Sequence, residues 1–151
     1  MLTYVDGSVA LATLLGEPLR PPPSFWAGPL IASRLLEYEV WTRIHARGRD
    51  DLVDPATSLI GALPMVELLP EVLARARLPW PAPVRTLDAL HLATLEFLLN
   101  EGVSLQLATF DKRLAAAASA LGIPPTAEDD LLAPGISGIG AGSGGLGRRT
   151  M

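Results

Sequence analysis

Cysteine is absent from the chain. That excludes a disulfide framework, a cysteine-ligated zinc or iron–sulfur site and a thiol nucleophile. Histidine is nearly absent as well: His45 and His91 are the only two, too few for a multi-histidine metal site. A bound metal would therefore rest on oxygen ligands, which points to magnesium or manganese. Lysine occurs once, as Lys112, beside eleven arginines. The net charge is −4 and the isoelectric point about 5.1, so an overall basic footprint for nucleic acid is missing. A polyanionic partner must be met by a local arginine patch or through a cation. No apolar run approaches the ~18 residues of a membrane span. The start, MLTYVDGSVAL, has no basic segment and reaches an acid at Asp6, which is unlike a secretory signal. A cytoplasmic protein without a membrane segment is the expectation.

What is present is apolar: 49% of residues are hydrophobic and the mean hydropathy is +0.33. With 151 residues, one domain with one well-buried core is expected. Residues 1–132 read as that domain. Short β-prone runs at Leu2–Val5, Leu30–Ala32, Met65–Leu69 and Leu105–Thr109 alternate with helical segments. The helices run from Val9 to Leu15, from a Ser33 cap to about Arg47, over 55–62 behind Asp54, from Pro70 to about Arg77, and from a Thr86 cap to about Asn100. A last stripe, Phe110, Leu114, Ala117 and Leu121, is closed by Gly122. This alternation predicts an α/β domain, a three-layer α/β/α sandwich around a mostly parallel sheet. Residues 133–151 differ: seven of the seventeen residues from Gly135 onward are glycine, a composition that predicts a disordered tail.

Asp6 follows the first strand, Asp88 stands in the first turn of an apolar helix, and Asp111 follows the last strand run. Strand ends and helix starts share one edge of a parallel sheet, where ligands bind. Carboxylates gathered there repel one another unless a cation neutralises them, and a magnesium ion with its waters suits that role. Asp88 shares an apolar stripe with Leu92 and Leu95, so its carboxylate points inward and needs compensation. On the long second helix, periodicity leaves Glu37 and Glu39 equally placed, with Arg43 four residues beyond Glu39 for an ion pair. His91 lies three residues beyond Asp88, but nothing in the sequence gives it a second partner, so a core role is expected. Trp26, Trp41 and Trp80 read as core or interface anchors. Ser8 lacks a histidine or lysine context for a nucleophile.

In order, the segments YVDGSVAL (4–11), ASRLLEYEV (32–40), TLDALHLA (86–93) and LATFDKRL (107–114) resemble the PIN-domain ribonucleases, and among them the VapC-type toxins of toxin–antitoxin pairs. The resemblance spans residues 1 to about 126. It implies that Asp6, Glu39, Asp88 and Asp111 hold Mg²⁺ or Mn²⁺, choosing Glu39 over Glu37, and that Ser8 orients the first aspartate. Gly7 departs from the family, which more often has threonine or serine there; a looser turn with intact ligands is the expectation. The function implied is a metal-dependent endoribonuclease, with Arg43, Arg85 and Arg113 near enough to contact RNA phosphates. The partners implied are RNA, a cognate antitoxin and a second copy of the chain. Two other readings share the layout: a phosphohydrolase or phospho-receiver of another class, and a PIN-like module kept for protein binding without turnover. Ser8 stands where a dehalogenase-type enzyme needs a second acid, and Lys112 directly follows Asp111 rather than ending a separate strand.

Overall fold

The computed structural model describes residues 1–134; the expected disorder of Gly135–Met151 lies outside the described residues. Four strands, β1 (Leu2–Val5), β2 (Leu30–Ser33), β3 (Met65–Val66) and β4 (Leu105–Ala108), form one sheet in the order β3-β2-β1-β4. All pairings are parallel, with Tyr4 opposite Ile31 on one side and Leu107 on the other. Helices α1 (Gly7–Leu15), α2 (Leu35–Ala46) and α3 (Val53–Ala62) precede β3. They are followed by α4 (Pro70–Ala76), α5 (Thr86–Asn100), α6 (Lys112–Ala120) and α7 (Glu128–Leu131). This is the three-layer α/β/α sandwich expected.

The two-residue side-chain period of each strand divides the core between the layers. Val5, Leu30, Ala32 and Ala108 pack with Val9, Leu36, Val40, Ile44 and Ile60 on one face. Tyr4, Leu105 and Leu107 pack with Leu92, Leu95, Leu98 and Leu114 of α5 and α6 on the other. The alternation decides which side chains meet: Tyr4 is turned to α5, its neighbour Val5 to α1 and α2.

Local chemistry sets the element ends. Gly16 closes α1 at φ 65°, a conformation open to glycine at little steric cost. The Ser33 hydroxyl accepts the Leu35 N–H at 3.1 Å, but Ser33 itself ends β2, so α2 starts later than its expected cap. The expected cap Thr86 is the first helical residue of α5, and Arg85 is the N-cap. β3 stops at Val66 because Leu69 N–H turns back to the Glu67 carbonyl and Pro70 opens α4. Phe110 lies before α6 and packs on the opposite layer from Leu114, so the expected stripe from Phe110 is broken where Asp111 caps the helix. No helix among the described residues is long and apolar enough to cross a membrane.

Candidate functional site at the carboxyl edge of the sheet

From β1 the chain moves to β2 and β3 on one side; β4 then lies on the other. The sheet thus changes direction between β1 and β4, and the crevice beyond the strand ends at such a point is where ligands bind in open α/β sheets. Asp6 and Thr109 stand at its two lips.

Asp6 is 4% exposed and caps α1. Its Oδ1 accepts from the Ser8 backbone N–H at 3.1 Å and the Ser8 hydroxyl at 2.6 Å. Its Oδ2 accepts from the Thr109 hydroxyl at 2.6 Å, across the crevice. The Thr109 oxygen in turn accepts the Asp111 N–H at 2.9 Å, and the Ser8 oxygen accepts the Phe110 N–H at 2.9 Å. Two hydroxyls therefore lace the end of β1 to the end of β4. Burial pushes the Asp6 carboxyl above its usual range and Glu39 adds to this; His91, Ser8 and Thr109 pull it back without cancelling it.

Glu39 and Glu37, indistinguishable by periodicity, are sent to different places. Glu37 accepts from Arg34 at 2.6 Å. Glu39 meets His91 Nε2 at 2.8 Å. Arg43 forms no ion pair with Glu39; it is exposed and lines a groove of about 510 Å³ with Ser8, Leu11, Tyr38, Glu39 and Leu87. The expected i,i+4 pair is replaced because Glu39 turns inward to α5.

Asp88 is buried on α5, and its Oδ2 accepts the Arg85 N–H at 3.1 Å, an N-capping bond. Asp111 is exposed and caps α6, its Oδ1 accepting from Arg113 N–H at 2.9 Å and Leu114 N–H at 3.3 Å. The Arg85 and Arg113 side chains are exposed on the rim.

His91 is where the sequence reading falls short. It is 2% exposed and has two partners, Glu39 on Nε2 and the Tyr4 hydroxyl on Nδ1 at 2.7 Å. Burial alone would lower its pKa. The hydrogen bond and charge of Glu39, with the charges of Asp6 and Asp88, outweigh burial and turn the shift upward. Three of the four acids thus act on one imidazole. Tyr4 is fully buried; burial first, then Glu39 and Asp6, hold its phenol well above its usual pKa, so it stays a neutral donor. Gly7 is the second surprise. It is a point of close approach between α1 and α2, because a Cβ there would stand 2.8 Å from the Glu39 Cβ.

The oxygen donor set suits a hard divalent cation. Asp6 in particular is a buried carboxylate whose partners among the described residues are two hydroxyls and one N–H, with no lysine or arginine. Yet among the described residues no three acidic or imidazole side chains are gathered as a ligand set. Asp111 is committed to its cap, and Glu39 to His91. Among the described residues, Glu39 Oε2, Asp88 Oδ1 and Asp111 Oδ2 have no hydrogen-bond partner, so the residues fit a cation that would draw them together.

Residues 3–120 match the family described as PIN domain. No curated protein matches the chain. Among solved structures the fold is similar to Mycobacterium tuberculosis VapC20, a sarcin–ricin loop cleaving toxin. The TM-score is 0.62 at 18% identity, covering 82% of this chain and 98% of that one. PAE2754 from Pyrobaculum aerophilum has a TM-score of 0.49 at 21% identity, covering 78% and 87%. The family match runs from β1 to the last residue of α6, so both lips of the β1–β4 crevice fall inside it, and the chain belongs to the PIN domain family.

Proposed function

We propose that the protein is a Mg²⁺- or Mn²⁺-dependent endoribonuclease, the toxin of a toxin–antitoxin pair, acting in the cytoplasm as a homodimer until its antitoxin binds. The observation that carries this reading is the PIN-family sheet with a buried carboxylate, Asp6, tied by Ser8 and Thr109 at its β1–β4 crevice; Glu39, turned inward to His91, supports it. The structural neighbour VapC20 is a toxin that cleaves an RNA loop, which supports RNA as the substrate class.

Asp6, Glu39 and Asp88 would hold the cation, with Asp111 contributing from the rim. When bound, the cation activates water and neutralises charge developing on the phosphoryl group, so no separate protein base is needed. Ser8 and Thr109 keep both Asp6 oxygens in place. Arg43, Arg85 and Arg113 would meet the flanking phosphates. Because the edge is acidic and the chain carries −4 overall, phosphate is repelled from the metal-free site.

The test is cleavage of structured RNAs with Mn²⁺, with a chelator control and Asp88→Asn. Asn keeps the shape and removes the charge that draws the cation. Mn²⁺-dependent cleavage that Asp88→Asn abolishes is the expected result. Cleavage unaffected by chelator, or Asp88→Asn within a few-fold of wild type, overturns the assignment. A folded wild type that binds its partner protein but never cuts would be the non-catalytic module.

A further inference from the structure

A chain of three side chains reaches the candidate site from the sheet: the buried Tyr4 hydroxyl of β1, buried His91 of α5, then half-buried Glu39 of α2. An ionised carboxylate only accepts hydrogen bonds, so His91 Nε2 donates to Glu39 Oε1. In the neutral ring Nδ1 is then the acceptor, and the Tyr4 hydroxyl is its donor at 2.7 Å. Nothing else can turn the ring, because it is 2% exposed and held edge-on to Tyr4 at 87°. The other Glu39 oxygen, Oε2, lies 3.0 Å from where a Gly7 Cβ would be, over the first residue of α1, whose N-cap is Asp6.

We propose that Tyr4 and His91 are positioning residues. Together they fix Glu39 through Oε1, so that Oε2, over the bare Gly7 backbone, is the oxygen presented toward Asp6. The two Glu39 oxygens thus have separate tasks, and the seat is open only because position 7 has no side chain. This rests on the reading of Glu39 as a cation ligand. Partners that orient a metal-binding carboxylate change metal affinity about 10–100-fold when removed.

The test uses the full chain with Tyr4→Phe, His91→Gln and His91→Leu. In metal-free protein, imidazole nitrogen chemical shifts report the His91 tautomer. Mn²⁺ affinity is read by titration, and RNA cleavage as kcat and KM across Mn²⁺ concentrations. Measured at a pH where the ring is neutral, wild-type His91 should carry its proton on Nε2, held there by Glu39, and Tyr4→Phe should keep that tautomer but move the Nδ1 resonance, which loses its donor. Tyr4→Phe and His91→Leu should weaken Mn²⁺ binding about tenfold or more. Excess Mn²⁺ should restore their kcat, with KM for RNA unchanged. His91→Gln, whose amide can still donate to Glu39, should recover most of the affinity. A lost fold explains none of this, since Tyr4→Phe keeps the ring that packs against Leu92. Wild-type Mn²⁺ affinity in folded Tyr4→Phe and His91→Leu overturns the relay alone. A wild type that binds no Mn²⁺ overturns the cation reading and the relay's purpose together. An Nδ1 resonance unmoved in Tyr4→Phe refutes the orienting role of the phenol.

Discussion

Asp6→Asn should make the metal-free protein more stable, an inversion of what losing a buried, fully hydrogen-bonded side chain normally does. The charge is the reason. Asp6 is 4% exposed and forms no ion pair among the described residues. An ion so placed carries an effective desolvation penalty of several kcal/mol, here about 5. Three hydrogen bonds offset it, each about 1 kcal/mol stronger to a charged acceptor than to a neutral one. That leaves about 2 kcal/mol against the charge. Asparagine keeps the shape and the Oδ1 contacts with Ser8. Its amide faces Thr109, whose hydroxyl must swing toward Ser8 Oγ, 3.4 Å away, at a cost of about 1 kcal/mol. The net gain is about 1 kcal/mol, roughly 3 °C in Tm.

The pH dependence fixes the cause. Burial raises the Asp6 pKa, so between the unfolded and folded values the native state binds more protons than the unfolded chain. Stability contributed by this group therefore falls as pH rises through that window and is constant above it. Thermal melts in chelator, at pH 4 and pH 8, should show the Asn variant ahead at pH 8 and nearly level with wild type at pH 4. A lower Tm at pH 8, or a larger gain at pH 4, would refute the reasoning. Added Mn²⁺ should reverse the order, since a ligand stabilises the form that binds it.

Gly7→Ala should cost about 1–3 kcal/mol, because its Cβ meets the Glu39 Cβ at 2.8 Å and α1 and α2 must part; urea unfolding would show it as a lower midpoint, and an unchanged midpoint would contradict the contact. Ca²⁺, an oxygen-liganded ion of looser geometry, should restore RNA binding without cleavage. Anisotropy in chelator, in Ca²⁺ and at two salt concentrations would reveal tight, salt-sensitive binding without metal if the arginines alone held the RNA. Leu73, Leu78 and Leu87 are 43–56% exposed, and such surface should be covered by a second copy; light scattering at about 100 µM that gives a monomer would remove the dimer.

How far the sequence reaches depends on how local each signal is. The strands are legible because short, mostly apolar runs alternate with helical segments; Leu2–Val5 and Leu105–Ala108 are such runs, interrupted only by Thr3 and Gln106, whose side chains hydrogen-bond to each other. Asp6, Asp88 and Asp111 are legible as helix starts because capping is a contact within two or three residues. The exposed ends of elements are less so: β3 is shortened by Pro70, and Phe110 is parted from its stripe by a cap. What cannot be read locally is the choice between Glu37 and Glu39, and the role of His91. Both are decided by residues 52 and 87 positions away in the chain, which no helical period contains. One signal was available. Tyr4 alternates with Val5 and so must point into the α5 layer, and a buried phenol needs a hydrogen-bond partner. On α5 the apolar stripe offers His91 three residues after Asp88. Once those two are paired, the second imidazole nitrogen still needs an acceptor, and the acids of α2, Glu37 and Glu39, are candidates between which the fold decides.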